Sequence, residues 1–122
     1  MYVRGIRGAT TVERNEEAEI LSETLKLLQE IVLSNGVRPE DIGYVFVTVT
    51  TDLNATFPAK VIRDMPGWEL VPLMCALEIP VEGALPKCIR LMVTVNTDKS
   101  QAEIIHVYLN EAKKLRPDLA KR

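Results

Sequence analysis

One arginine interrupts an otherwise apolar stretch, Lys-Cys-Ile-Arg-Leu-Met-Val-Thr-Val, at residues 87–95. In a β-strand Cys88, Arg90 and Met92 share one face, opposite the larger aliphatic residues. A guanidinium keeps its charge, so its burial is unfavourable unless an anion meets it. The pattern therefore predicts either an internal carboxylate partner for Arg90 or a bound anionic ligand.

Three further residues have side chains that suit such a ligand. Arg7 lies in the first strand-like segment, Glu78 lies in a later extended segment, and Tyr108 lies near the C-terminal end. Cations on or beside strands fit a small polyanion, because guanidinium groups bind carboxylates through two parallel hydrogen bonds. The structural alternative is a set of internal ion pairs among Arg7, Arg90 and Glu78, and spacing does not decide between the two.

Other catalytic chemistries lack the residues that they need. His106 is the only histidine, so no nucleophilic triad can be assembled, and a structural role is expected for it. The Arg-Gly-Ile-Arg-Gly segment at 4–8 lacks the spacing of a phosphate-binding glycine loop. Cys75 and Cys88 stand in no CxxC or Cys/His cluster, so we expect two free thiols and no metal site.

Length and composition indicate one globular domain spanning residues 1–122, with 47% hydrophobic and 26% charged residues. A net charge of -2 argues against nonspecific nucleic-acid binding. The apolar runs are too short for a membrane span, and the sequence opens without a signal-peptide pattern. We therefore expect a cytoplasmic protein with no membrane or nucleic-acid partner, and a mobile tail from about residue 116.

The elements that must hold these residues are strands around one long helix. Residues 2–10 predict a strand that ends near Gly8. The segment from Asn15 to Gly36 carries one apolar stripe and predicts an amphipathic helix, with Asn15 as N-cap and Gly36 as C-terminal stop. Residues 44–52 predict a strand with both faces buried.

The second half of the chain predicts shorter elements. A short helix with Pro58 near its first turn projects Lys60 and Arg63 from neighbouring turns. Two extended segments follow, and a helical turn precedes a strand near 105–109. The sum predicts an α+β fold, a mixed β-sheet packed on one long amphipathic helix.

Five segments, taken in order, closely resemble the small, monofunctional, strand-rich class of chorismate mutase. They are RGIRGATTVE at 4–13, TDLNATFPAKVIR at 51–63, GWELVPLMCALE at 67–78, KCIRLMVTVNTD at 87–98 and HVYLNEAKKLRPDL at 106–119. The resemblance runs nearly end to end, and such a series is far more specific than one short motif.

The resemblance implies the Claisen rearrangement of chorismate to prephenate, without metal or cofactor. It also implies a homotrimer, a pseudo-α/β-barrel with active sites between neighbouring subunits. Arg90 would lie against the ether oxygen of the breaking C–O bond, Arg7 and Tyr108 would hold carboxylate, and Glu78 and Cys75 would meet the ring hydroxyl. Residues implied to line or close the site are Phe57, Ala59, Lys60, Arg63, Met74, Leu115 and Arg116.

Two other functions fit a small strand-rich trimer. One is a non-catalytic binder of a carboxylated metabolite, which would bind a chorismate-like dicarboxylate without turnover. The other is a deaminase-like enzyme, which would act on enamines or imines and ignore chorismate. The series of family segments favours the mutase, although Met74 and Ile105 stand where family members often carry threonine and arginine.

Overall fold

In the computed structural model, which describes residues 1–120, five strands form one mixed sheet. The strands are β1 (Tyr2–Thr11), β2 (Ile42–Val49), β3 (Leu73–Leu77), β4 (Cys88–Thr97) and β5 (Val107–Tyr108). Their order is β3-β2-β4-β1-β5, with β4 antiparallel to both neighbours and the two outer pairs parallel. The predicted α+β class is confirmed.

The helices are α1 (Glu17–Asn35), α2 (Ala59–Arg63) and α3 (Pro117–Ala120), with 3₁₀ turns at Pro39–Asp41, Gln101–Glu103 and Asn110–Lys114. The predicted N-cap of α1 is wrong. Glu16 holds that position without a side-chain cap bond, whereas the Asn15 side-chain oxygen accepts hydrogen bonds from the backbone N–H groups of Asn54 and Ala55. Gly36 ends α1 in the left-handed conformation, as predicted, at φ 61°.

Helix α1 packs directly on the backbone of β1. Its buried residues include Ile20, Leu27, Leu28 and Ile31. A Cβ added at Gly8 would lie 2.5 Å from Cδ1 of Ile31, so only glycine permits this close approach. The helix thereby covers one face of the sheet, called here the core face.

The opposite face of the sheet is called here the open face. On β4, Ile89, Leu91 and Val93 are buried on the core face, while Arg90 and Met92 between them are exposed. The prediction that both faces of residues 44–52 are buried is wrong, because α1 packs on only one of them. On the open face of β2, Tyr44 is 49% exposed.

Strand ends differ from the sequence expectation by a few residues. Strand β1 continues past Gly8 to Thr11, because Thr11 still pairs with Cys88 in the ladder. The predicted turn and strand near the C-terminal end are present as the capped Gln101–Glu103 turn and β5. The last two residues of the predicted mobile tail, 121 and 122, lie outside the described residues. None of the helices within 1–120 is long and apolar enough to cross a membrane.

Candidate active site

The structure brings Arg7, Glu78, Arg90 and Tyr108 together around one cavity of about 260 Å³. This cavity, called here the sheet cleft, opens on the open face of the sheet. Its other lining residues are Gly8, Ala9, Phe46, Thr48, Leu91 and Met92. Residues from four separate segments therefore meet around Arg90, where the sequence predicted either a bound anion or an internal carboxylate partner.

Arg90 occupies the middle of the sheet because β4 is its central strand. In the ladder Arg90 pairs with Ala9 of β1 on one side and with Thr48 of β2 on the other. Since opposed residues project to the same face, the small Ala9 side chain leaves room beside the guanidinium. Both neighbouring ladders thus fix the direction in which Arg90 leaves the backbone.

Glu78 is the internal carboxylate partner of Arg90. Its Oε2 lies 3.4 Å from Nε of Arg90 and also accepts a hydrogen bond from the Thr48 hydroxyl. The Arg90 and Glu78 side chains are 49% and 24% exposed, respectively, so the pair is not a buried one. The internal ion pair is therefore present, and it leaves the Arg90 side chain half exposed at the cleft.

Arg7 has a different environment. Its backbone N–H donates to Nδ1 of His106 at 2.8 Å, and its Nη1 lies 3.5 Å from Nε2 of the same ring. Among residues 1–120, no carboxylate lies within ion-pair distance of the Arg7 guanidinium. His106 has the structural hydrogen bond that was expected of it, and the internal ion pair proposed for Arg7 is not found.

Tyr108 forms one wall of the cleft from β5, opposite Ala9. It is 8% exposed and packs with Ala9, Ala112 and the partly buried Leu115.

Arg116 follows Leu115 and pairs with Asp118. Its side chain donates two hydrogen bonds to Asp118, and these raise the pKa of the Arg116 guanidinium. The Tyr108 phenol raises that pKa further, by a smaller amount. Leu115 and Arg116 therefore lie beside Tyr108 but do not line the sheet cleft.

The Cys88 thiol beside Arg90 is not an activated nucleophile. Burial raises the pKa of the Cys88 thiol above its ordinary value of 9.0, an effect that the adjacent Arg90 only partly opposes. Cys88 is thus protonated at neutral pH. Both cysteines are free thiols, as expected, and no cluster of metal-binding side chains occurs within the described part of the chain.

Most of the remaining predicted residues line a second cavity of about 470 Å³ at the β3 edge. This cavity, called here the edge groove, is lined by Phe57, Ala59, Lys60, Arg63, Glu69, Val71, Leu73 and Cys75. Cys75 therefore lies with the α2 residues and not in the cleft with Glu78. Met74, 66% exposed and paired with Phe46 in the ladder, lines neither cavity.

Sequence reasoning missed Thr48, whose hydroxyl contacts Glu78 in the cleft. The only signal was a hydroxyl residue inside the apolar segment Tyr-Val-Phe-Val-Thr-Val at 44–49. Its position beside Arg90 depends on the register between β2 and β4. That register includes an irregularity between Ile42 and Tyr44, which no sequence pattern revealed.

Comparison with known proteins shows that the chain is similar to chorismate mutases. Residues 3–119 match the family model described as chorismate mutase type I. The chain is 52% identical to chorismate mutase AroH of Bacillus subtilis (strain 168), over 98% of this chain and 94% of that protein. It is 47% identical to chorismate mutase AroH of Thermus thermophilus, over 96% of each. The solved chorismate mutase from Clostridium thermocellum superposes with a TM-score of 0.88 at 53% identity, covering 91% of this chain and 98% of that one.

Proposed function

The chain belongs to the type I chorismate mutase family, and from that premise we propose how its two cavities carry out the rearrangement. The enzyme is an isomerase of aromatic amino acid biosynthesis that converts chorismate to prephenate. The observation that carries the proposed mechanism is the meeting of Arg7, Glu78, Arg90 and Tyr108 in one cleft.

The reaction sets two tasks for these side chains. A Claisen rearrangement is an intramolecular pericyclic step in which no proton moves and no covalent intermediate forms. The protein must hold a flexible dianion in the compact chair where the reacting carbons approach. It must also bind the polarised transition state more tightly than the ground state. A cleft with two guanidinium groups, one carboxylate and one phenol suits both tasks.

Arg90 stabilises the ether oxygen of the breaking C–O bond, which gains negative charge as the bond lengthens. Because Nε of Arg90 faces Glu78, the terminal nitrogens are the donors that meet the oxygen. A full charge pair at about 4 Å and an effective dielectric near 20 is worth about 4 kcal/mol. Since the oxygen gains only part of a charge, about 2 to 3 kcal/mol remains, which is about thirty- to a hundredfold in rate.

The other cleft residues restrict the substrate. Arg7, which has no carboxylate partner among the described residues, binds a substrate carboxylate together with the Tyr108 hydroxyl. Glu78 accepts a hydrogen bond from the ring hydroxyl. Arg116 and Leu115, which follow Tyr108 along the chain, close the cleft. These contacts provide the conformational restriction that one arginine cannot supply.

The edge groove completes the site from a neighbouring copy in a homotrimer, three copies forming a pseudo-α/β-barrel. In this arrangement Phe57, Ala59, Lys60, Arg63, Met74 and Cys75 of one subunit face the sheet cleft of the next. The exposed apolar residues at this edge support the proposal, because Phe57, Met74 and Leu77 are 74%, 66% and 65% exposed in the single chain. An uncovered apolar edge strand is an aggregation hazard that burial between subunits removes.

The same proposal includes catalysis without metal or organic cofactor, since every charge that the reaction needs comes from a side chain. It also includes a cytoplasmic location, which suits a biosynthetic enzyme. The protein acts on a small molecule and needs no nucleic-acid or membrane partner.

The direct test follows chorismate loss and prephenate appearance with the purified protein, with Arg90→Ala alongside. Turnover by the parent and its loss in the variant support the reaction and the role of Arg90. Sedimentation measures the oligomeric state of both proteins, which the proposal expects to be a trimer. A folded trimer that binds a chorismate-like dicarboxylate without converting chorismate would support the non-catalytic binder instead.

A further inference from the structure

Thr48 lies at the contact between the two charged groups of the sheet cleft. It stands on β2 directly opposite Arg90, with its half-buried side chain lining the cleft. An ionised carboxylate only accepts hydrogen bonds, so the Thr48 hydroxyl must be the donor in its contact with Glu78. The hydroxyl proton is therefore already committed to Glu78.

The two oxygens of the Glu78 carboxylate have different partners. Oε2 accepts from the Thr48 hydroxyl and lies 3.4 Å from Nε of Arg90. The hydrogen bond and the ion pair described for Glu78 thus both involve Oε2. One oxygen is thus anchored to the protein, and the other is available to a ligand in the cleft.

Glu78 needs this anchoring because its backbone position does not fix its side chain. It follows the end of β3, and its backbone N–H donates to the Val49 carbonyl at 2.9 Å. Beyond it the chain continues into residues 79–87, which contain no helix or strand. A glutamate has several side-chain rotamers, whose restriction costs entropy.

Thr48 is better suited than Arg90 to provide the anchor. Arg90 is half exposed, and ion pairs between exposed groups hold a side chain only weakly. Thr48 is β-branched, so its χ1 is stiff, and it belongs to an inner strand held by β3 and β4. The hydroxyl is therefore a fixed point from which the carboxylate can be oriented.

We propose that Thr48 is a positioning residue that sets the orientation of Glu78 for the rearrangement. Its hydroxyl holds Oε2, so that Oε1 faces the ring hydroxyl of the substrate. The hydrogen bond from Thr48 also keeps the Glu78 carboxylate beside Nε of Arg90. The terminal nitrogens of Arg90 can then donate to the ether oxygen of the substrate. This inference rests on the proposed function of the cleft.

The test compares Thr48→Val, which keeps the shape but loses the donor, with Thr48→Ser, which keeps the donor. Losing a hydrogen bond to a charged group lowers kcat for chorismate by about ten- to a hundredfold in Thr48→Val. Thr48→Ser stays within about threefold of the parent, since the donor remains. Thermal unfolding and sedimentation establish that both variants form the parent assembly, and Thr48→Ala replaces Thr48→Val if valine prevents folding.

A double-mutant cycle separates positioning of Glu78 from direct contact with substrate. If Thr48 acts through Glu78, Thr48→Val has no further effect on kcat in a Glu78→Ala background. An equal loss in both backgrounds would overturn the inference, as would a Thr48→Val enzyme with the kcat of the parent. A parent protein that fails to convert chorismate would overturn the proposed function before any variant is compared.

Discussion

The sheet cleft and the edge groove contain similar side chains in opposite settings. In the cleft Arg90 stands on the central strand, and its carboxylate partner Glu78 lies 3.4 Å away. In the groove Lys60 stands on a five-residue helix, and its Nζ lies 3.8 Å from Oε2 of Glu17, with both side chains about half exposed. Arg90 and Lys60 have the same side-chain exposure, 49% each, so the two regions differ in support and not in exposure: the central strand fixes Arg90, whereas Lys60 stands on a short helix.

The two cysteines show the same contrast. Cys88 is 1% exposed beside Arg90, while Cys75 is exposed in the groove. Under the proposed arrangement, a single chain supplies a preformed cleft and a groove that a neighbouring copy would cover. We infer that substitutions in the cleft affect mainly the chemical step, and that substitutions in the groove affect mainly substrate binding.

The largest expected effect is a fall in kcat when Arg90 of the cleft is replaced. Arg90→Lys keeps a positive charge but loses the planar fork, so kcat for chorismate falls by about thirty- to a hundredfold. Arg38→Lys is the matched control, because Arg38 is an exposed arginine whose Nε lies 3.2 Å from Asp41 and which lines neither cavity. Steady-state kinetics measure both, and a normal kcat in Arg90→Lys would refute the assigned role.

The second prediction separates chemistry from stability in the cleft. Glu78→Ala lowers kcat by about tenfold or more, because the ring hydroxyl and Thr48 lose their acceptor. The free energy of unfolding changes by less than about 1 kcal/mol, since half-exposed ion pairs contribute little. Chemical denaturation measures the stability. A collapse of stability would show that the Arg90–Glu78 pair is mainly structural.

The third prediction concerns the groove. Arg63→Ala raises KM for chorismate by about tenfold and changes kcat less, because an exposed cation at the rim contributes mainly to binding a dianion. Arg38→Ala, at an exposed arginine outside both cavities, should leave both constants unchanged. A large fall in kcat without a change in KM would remove the distinction between the two regions.

The smallest expected effect depends on pH. The folded chain keeps the Cys88 proton above pH 9.0, where the unfolded chain releases it. The associated stability is therefore complete below pH 9.0 and is lost as pH rises through the higher pKa of the folded state. The slope reaches at most about 1.4 kcal/mol per pH unit. Urea unfolding between about pH 8 and 10.5 should show a steeper decline for the parent than for Cys88→Ala, and parallel curves would contradict this.

Local patterns predicted most of the fold because they depend on neighbouring residues. The apolar stripe of α1, the stop at Gly36 and the alternation around Arg90 all appear in the structure. The N-cap prediction was wrong because the Asn15 side chain instead accepts from the backbone N–H groups of Asn54 and Ala55, 39 and 40 residues away along the chain. Such a long-range competitor leaves no trace in the local sequence.

The site was predictable as a set of residues but not as an arrangement. The residues around Arg90 predict either a bound anion or an internal carboxylate partner, and the resemblance to the family supplies the other candidates. Cys75 lines the groove and not the cleft because alternation along β3 turns it to the face opposite Met74. The contact of Thr48 with Glu78 depends on the β2–β4 register, which only the folded chain fixes.

The central claim is that the cleft of one copy and the groove of another form one active site. The most direct measurement mixes two variants, Arg90→Ala, which lacks a working cleft, and Arg63→Ala, which has a defective groove. If Arg63→Ala alone impairs the groove too little, a chain that carries both Lys60→Ala and Arg63→Ala replaces it. After unfolding and refolding together in equal amounts, subunits assemble at random. About one quarter of the interfaces then join an intact cleft to an intact groove, so activity assayed at chorismate concentrations well below KM should recover to about one quarter of the parent value. Activity no higher than the average of the two separate variants, in trimers shown to be mixed, would place each site within a single chain and contradict the account.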